Sequence, residues 1–337
     1  MSLPVPLDRV VVTGGTGFIG QHLVRALRER GSEVRILRRR GAGATPKLRA
    51  LETLGAELVE AELTDTTAVE RCIEGATALF HLAGRLLKPG VPDEEYARVH
   101  VEATRSVLDA CARTAGLRAI VHCSTTGVLG PTGPQPACED APQRPSNVYE
   151  RTKAEGERVA LAYAENHGLP LSVARPALVY GPGDLHLLGW FRAIRGGYYL
   201  VVGKGDNTLH PIFVDDCILG LLRCAETKAA GRAYNLVGER ALPIREMAGA
   251  IAGAMGRKLP GPHLPVALAS TLAAALEAIP GLPPARLPLS RSRVAFMTES
   301  RAYCGCRARD ELGFVARVGL EDGLRRSVDW YRAEGLL

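Results

Sequence analysis

Val11-Val12-Thr13-Gly14-Gly15-Thr16-Gly17-Phe18-Ile19-Gly20 is the stretch on which the fold expected of this 337-residue chain turns. It continues an apolar run at 9–12, a candidate buried strand. It leads into Ile19, Leu23 and Leu27, which recur every four residues until Gly31. A strand that bends directly into an amphipathic helix needs residues without Cβ at the bend. The helix start then presents unpaired N–H groups and the positive end of its dipole, which suit a pyrophosphate approached closely by backbone. Gly14 and Gly17, with Phe18 and Ile19 opening the helix, are therefore candidate cofactor contacts, and Gly20 is expected to let the helix pack on the sheet. Three glycines alone are a weak signal; placed between strand and helix they point to dinucleotide binding.

Outward from this turn, short apolar runs at 34–37, 56–61, 78–82, 120–123 and 171–174 alternate with helical patterns at 47–54, 66–73, 96–113 and 149–163. That alternation predicts an α/β fold, a Rossmann-like doubly wound parallel sheet. After Gly181 glycine and proline become frequent, and prolines gather over 259–289 around an alanine–leucine segment. The expected organisation is a dinucleotide-binding domain over 1–180, with returns near 212–222 and 234–237. A smaller C-terminal substrate-binding lobe takes 181–211 and 238–337.

Apolar residues make up 46% and charged residues 23%, which excludes a disordered or collagen-like chain. The apolar run 266–279 contains Glu277 and is too short to span a bilayer. With no secretory pattern at the start, a cytoplasmic protein is expected. The eight cysteines lack zinc-ligand spacing and are expected to be reduced thiols, Cys304-x-Cys306 included, with no metal site. The net charge of +6 equals the charge of one short stretch, 34–51, which holds Arg35, Arg38, Arg39, Arg40, Lys47 and Arg49 and no acid. A nucleic-acid surface would spread its charge over a face, so nucleic acid is not an expected partner. One local cluster suits a small anionic group or a solvated loop.

Further landmarks follow in order. They are His81-Leu82-Ala83-Gly84, then V-H-C-S-T-T-G-V-L-G over 121–130, then Tyr149-x-x-x-Lys153. Arg175-Pro176 with Val179-Tyr180-Gly181-Pro182, Phe213-Val214-Asp215-Asp216 and Tyr234-Asn235-Leu236 complete the set. With the G-x-x-G-x-x-G turn, the chain resembles the extended branch of the short-chain dehydrogenase/reductase superfamily over 11–238. This is the NAD(P)-dependent epimerase/dehydratase group, and in character the chain is similar to its 3β-hydroxysteroid dehydrogenase and dihydroflavonol reductase members. Beyond 238 it matches more loosely, through R-D-E-L-G-F at 309–314 and L-E-D-G-L at 320–324.

The resemblance implies a catalytic set of Thr125, Tyr149 and Lys153. It implies cofactor contacts at Glu62 and Leu63, where the family has Asp-Leu, and at Leu82, Ala83, Gly84, Pro176 and Val179, besides Tyr149 and Lys153. His100 stands where the family usually has Asn, and is expected to be a satisfied structural histidine. Asp215 and Asp216 are expected to be structural. A homodimer is also implied, built on the helix carrying Tyr149 and the helix at 96–113, with Val99, Ala103, Val107 and Ala110 as its apolar stripe.

Tyr149 and Lys153 are four apart on a predicted helix and share a face. A phenol titrates near ~10, too high for a base at neutral pH. An ammonium one turn away, with the positive nicotinamide ring, is expected to lower that value. Tyr149 could then pass a proton to or from a substrate oxygen as hydride moves, with Thr125 hydrogen-bonding the same oxygen and Lys153 holding the nicotinamide ribose.

Where NAD-preferring members carry Asp after the second strand, this chain has Arg38, then Arg39 and Arg40. Guanidinium groups bind a 2′-phosphate that a carboxylate repels, so NADP is the expected cofactor, with NAD possible. Arg38 and Arg39 are the expected clamp, with Arg40 facing solvent. Nucleotide-sugar members often carry a phosphate-binding Arg where Leu209 stands, although Arg192, Arg195 or Arg286 could compensate. The segment 264–279, with Val266, Leu268, Leu272 and Leu276, could line an apolar pocket, touch a membrane surface, or form a core helix. The expected function is hydride transfer between nicotinamide and a ketone or secondary alcohol of a hydrophobic, sterol- or flavonoid-like small molecule. The alternatives are a nucleotide-sugar epimerase or dehydratase with tightly held NAD, and a redox-sensing binding protein without catalysis.

Overall fold

The structure is a computed structural model that describes residues 5–337 except 40, 42–44, 89, 134, 228–229, 260–262 and 280–288. Six strands, β1 (Arg9–Thr13), β2 (Glu33–Arg38), β3 (Glu57–Glu60), β4 (Ala78–His81), β5 (Ala119–Cys123) and β6 (Leu171–Pro176), join a seventh, Arg232–Leu236, in one parallel sheet. The order is seventh, β6, β5, β4, β1, β2, β3, with every pairing parallel. Strand order therefore reverses between β1 and β4, which opens a crevice at their carboxyl ends.

The side-chain alternation of each strand feeds two cores. Val10 and Val12 of β1 pack with Leu23 and Leu27 of helix Phe18–Glu29. Val11 points the other way, to Val69, Ile73, Val107 and Leu108 of helices Thr66–Ile73 and Ala103–Arg113. Strands covered on both faces read as unbroken apolar runs, which is why 9–12 and 78–82 are legible as strands. Of the stripe expected to meet a partner copy, Val107 and Ala110 are buried in this second core, Ala103 is buried at 3% exposure, and Val99 is half-buried. Core and dimer stripes share one helical period, and here the sheet takes it.

The helical stretch over 93–113 contains a π turn, Arg98–Glu102, that carries His100. The long helix Val148–His167 starts at Asn147, whose side chain accepts the Glu150 N–H, and stops at Gly168 in the left-handed region. Its Glu157 is fully buried against β6, where Arg175 Nη2 reaches Glu157 Oε1 at 2.5 Å. Gln143 Nε2 donates to the same carboxylate.

A third core, with Tyr180, Phe191, Phe213, Met247, Ile251 and Tyr331, gathers the shorter elements beyond Gly181. Asp216 accepts the Arg317 and Val318 N–H groups, both at 2.9 Å, and Asp215 pairs with Arg326, so both acids are structural as expected. Helix Val266–Glu277 buries Ala269 and Ala273 and shows its other side to solvent. Among the described residues no helix is long and apolar enough to cross a membrane. Cys304 and Cys306, expected as free thiols, are joined in a disulfide. Cys306 opens helix Cys306–Leu312, and its N–H donates to Cys304 Sγ at 3.3 Å.

Candidate active site

The glycine turn forms as its sequence demands. Gly14 has φ +71°, and a Cβ there would lie 2.7 Å from the Ala83 nitrogen, so the loop after β4 can press against the turn. Gly17 caps helix Phe18–Glu29 without a side chain, which leaves the first helical N–H groups to a ligand. A Cβ on Gly20 would come within contact of the Gly14 carbonyl, so Gly20 lets the helix sit on the turn itself rather than on the sheet. Ile19 packs into the first core and Phe18 into the third, so both offer backbone to a cofactor. Leu82 and Ala83 are held beside the turn: the Leu82 N–H donates to the Thr13 carbonyl, and the Ala83 N–H to Thr13 Oγ1. This cradle, closed to any Cβ at Gly14, fits a dinucleotide pyrophosphate.

Around it stand the other candidate contacts. Arg38 ends β2 and pairs with Glu60 of β3 at 2.5 Å; Arg39 is exposed; Arg40 lies outside the described residues. Glu62 and Leu63 follow β3 half-buried, Leu63 against the second core. Pro176 ends β6 buried, and Val179 lies half-buried on the strand Leu178–Tyr180 that follows.

The β5 end and the long helix bring Thr125, Tyr149 and Lys153 together. Thr125 Oγ1 accepts the Gly127 N–H at 3.1 Å, and its hydroxyl lies close enough to Tyr149 to favour the phenolate. Lys153 Nζ, buried, donates to the Cys123 carbonyl at 2.7 Å. Burial drives the Tyr149 phenol above its ordinary pKa, opposed by the Thr125 hydrogen bond. Burial likewise drives Lys153 below its ordinary value. The expected lowering of the tyrosine belongs to the lysine and the positive nicotinamide ring together; in the chain alone, burial sets the direction. Desolvation is the largest cause of both shifts.

Beneath these groups lies a network that the sequence did not announce. His81 Nδ1 takes the Thr13 hydroxyl at 2.7 Å, and Nε2 donates to Thr104 Oγ1 at 3.1 Å. Thr104 in turn donates to the His100 carbonyl at 2.7 Å. Thr152 gives its hydroxyl hydrogen to the Val148 carbonyl, so it accepts from His100 Nδ1 at 2.8 Å. That leaves His100 Nε2 to accept the Arg85 N–H at 3.0 Å. His100 is neutral and satisfied, as expected, with a pKa lowered by burial and by Lys153 to about 3. Burial lowers His81 to about 3 and holds His122 well below its ordinary value. The His100 ring stands edge-on to Tyr149, with centroids 5.6 Å apart. Only the (i, i+4) spacing of His100 and Thr104 could have hinted at these links.

Where nucleotide-sugar enzymes place a phosphate-binding Arg, Leu209 is buried at 2% exposure on the strand Thr208–Leu209. Arg192 donates to the Leu336 carbonyl, Arg195 is exposed at the end of helix Leu188–Gly196, and Arg286 lies outside the described residues.

The NAD dependent epimerase/dehydratase family model matches residues 10–237, from the first strand of this crevice through the seventh. The chain belongs to that family. Its members' extended short-chain dehydrogenase/reductase enzymes depend on nicotinamide dinucleotides, and this chain is one of those enzymes. It is 30% identical over 352 residues to the 3beta-hydroxysteroid-dehydrogenase/decarboxylase isoform 1 of Arabidopsis thaliana, covering 95% of this chain and 78% of that one. It is equally 30% identical, over 341 residues, to the UDP-glucose 4-epimerase of Mycolicibacterium smegmatis, covering 96% and 98%. The structure of DesIV, a dTDP-glucose 4,6-dehydratase of Streptomyces venezuelae with NAD and TYD bound, superimposes with a TM-score of 0.78 at 25% identity, covering 98% of this chain and all of that one.

Proposed function

We propose that this family member is a dehydrogenase or reductase that prefers NADP(H) and acts on a ketone or secondary alcohol of an apolar small molecule. Leu209 carries the proposal. An apolar residue, buried where relatives hold a sugar-nucleotide phosphate, leaves that phosphate without its ligand, and Arg192 is turned to the C-terminal residues instead. Leu86 and Leu87, on the loop after β4, and Leu185, beyond Gly181, are exposed at 55%, 37% and 55%, which suits an apolar substrate at the carboxyl edge of the sheet. The sterol-acting relative supports the same substrate class; the UDP-glucose 4-epimerase relative supports the rival one.

A bound nicotinamide supplies or accepts the hydride. Tyr149 moves the proton at the substrate oxygen, and Thr125 steadies that oxygen and the phenol together. Lys153, anchored on Cys123, places its positive charge beside the phenol, so that deprotonation becomes easier once the positively charged, oxidised ring adds to it. His100 fixes the loop from Arg85 by accepting its N–H.

Titration with a C18 3-ketoacyl or steroid ketone against UDP-glucose, followed by intrinsic fluorescence in the presence of NADP, tests the proposal. Binding of the apolar ketone at micromolar concentration with none of UDP-glucose is expected. The reverse order overturns the substrate class.

A further inference from the structure

Helix Val266–Glu277 packs Ala269 and Ala273 against Val202 and against Val294 of helix Arg291–Thr298. Its outer side exposes Val266, Leu268 and Leu272 at 43%, 48% and 43%, and Ile279 follows at 47%. No charged residue occurs from Val266 to Leu276. A helix facing water ordinarily carries its charges on that side; this one carries leucine, alanine and threonine. Leu200, also exposed, immediately precedes the strand Val201–Val202 that pairs with His263–Leu264, so it lies at the same end of the lobe. Such a gathering exceeds the scattered single apolar residues of an ordinary surface.

The rim of this face is basic. Val266 lies against Gly203, next to the exposed Lys204. Arg291 and Arg293 are exposed on the neighbouring helix. Glu277, the one acid of the sequence between 257 and 298, is held by Arg291, which approaches it through its backbone N–H at 2.9 Å and its guanidinium at 3.4 Å.

We propose that this face docks on an anionic lipid bilayer, its leucines entering the acyl boundary, Lys204 meeting lipid phosphates and the net positive charge of the rim drawing the face to the surface. A second copy of the chain suits it less. Two-fold contact would set the basic rim against its own like charges, whereas an anionic surface complements all of them. Docking would bring the chain to where an apolar substrate dissolves, and to that extent the proposal rests on the proposed function. Binding to lipid is nevertheless measured without substrate, so either can fail alone.

The test is co-sedimentation of the full chain with vesicles of phosphatidylcholine, with or without one-third phosphatidylglycerol. Binding to the mixed vesicles, at least roughly ten-fold stronger than to pure phosphatidylcholine and weakened by salt, is expected. Leu268→Glu with Leu272→Glu should weaken binding by about ten-fold or more. Lys204→Gln should weaken it by roughly five-fold. Far-UV circular dichroism and the melting temperature should stay unchanged in the leucine variant, since both positions are exposed. Absence of binding to mixed vesicles overturns the proposal, as does equal binding by the leucine variant. A fall from dimer to monomer mass in that variant, by light scattering, assigns the face to a second copy instead.

Discussion

The Lys153 ammonium lies 2.7 Å from the carbonyl oxygen of Cys123, the last residue of β5. One contact thus pins the long helix to the strand whose continuation carries Thr125, and sets the distance between phenol and hydroxyl. It also fixes a buried positive charge at the floor of the crevice, with Tyr149 one turn away on the same helix.

Each group in this arrangement has a separable role. Tyr149→Phe should lower kcat by ~10²–10⁴ with little change in the fold, because a positioned proton donor is removed. Lys153→Met should lose a comparable factor and also leave the Cys123 carbonyl unpaired, so its melting temperature should fall as well. Thr125→Ala should fall between wild type and Tyr149→Phe. Steady-state rates beside thermal melts of the three variants check this ordering. Near-normal turnover by Tyr149→Phe would contradict the mechanism.

The three histidines make stability depend on acid. His81 and His100 titrate at about 3 when folded, against 6.5 when free. The unfolded chain therefore binds more protons across that interval, and stability is full above pH 6.5 and lost as pH falls toward 3. The loss is on the order of 1 kcal/mol per pH unit for each of these two histidines. Urea unfolding at a series of pH values should show this slope, and His100→Asn should reduce it by one proton.

Gly156 faces the His100 carbonyl so closely that a Cβ would stand within 2.2 Å of its oxygen. Alanine in a helix interior normally gains about 1 kcal/mol over glycine. Here the methyl must displace backbone of the π turn, at a cost of roughly 1–3 kcal/mol that outweighs the gain. Gly156→Ala should unfold at lower urea than the native chain; a higher midpoint would show that the π turn yields freely.

Much of this site could be read in the sequence because backbone demands leave marks in residue type. Gly14 and Gly20 are needed where the turn meets Ala83 and itself, and the helix expected over 66–73 is Thr66–Ile73. What escaped depends on partners without a side-chain signature. Burial of the Tyr149 phenol, which no spacing in the sequence reveals, raises its pKa, and Lys153 is found donating to a backbone carbonyl. Val107 and Ala110 have the period of an interface and the position of a core. Arg38 meets Glu60 only because β2 and β3 lie in register, Arg38 opposite Glu60.

That ion pair bears on cofactor choice. A 2′-phosphate must share Arg38 with Glu60, whereas Arg39 is exposed. Charge-assisted contacts of about 1.5–3 kcal/mol imply a roughly ten- to several-hundred-fold preference for NADPH over NADH. Arg38→Asp with Arg39→Ser should abolish the preference, leave NADH binding nearly unchanged, and flatten the salt dependence of NADPH affinity. Fluorescence titrations with both cofactors at two salt concentrations measure this. Equal affinities in the native chain would make the arginine cluster a solvated loop.

The central claim is net hydride transfer with exchange of cofactor, and it is tested most directly by following NADPH absorbance at 340 nm, the reduced-nicotinamide band, with purified protein and an apolar ketone in excess. The expected result is oxidation of many equivalents of NADPH per chain, one alcohol formed for each, and none by Tyr149→Phe. Copurified NAD that neither exchanges nor changes in absorbance, with UDP-glucose converted to an isomer, would contradict it.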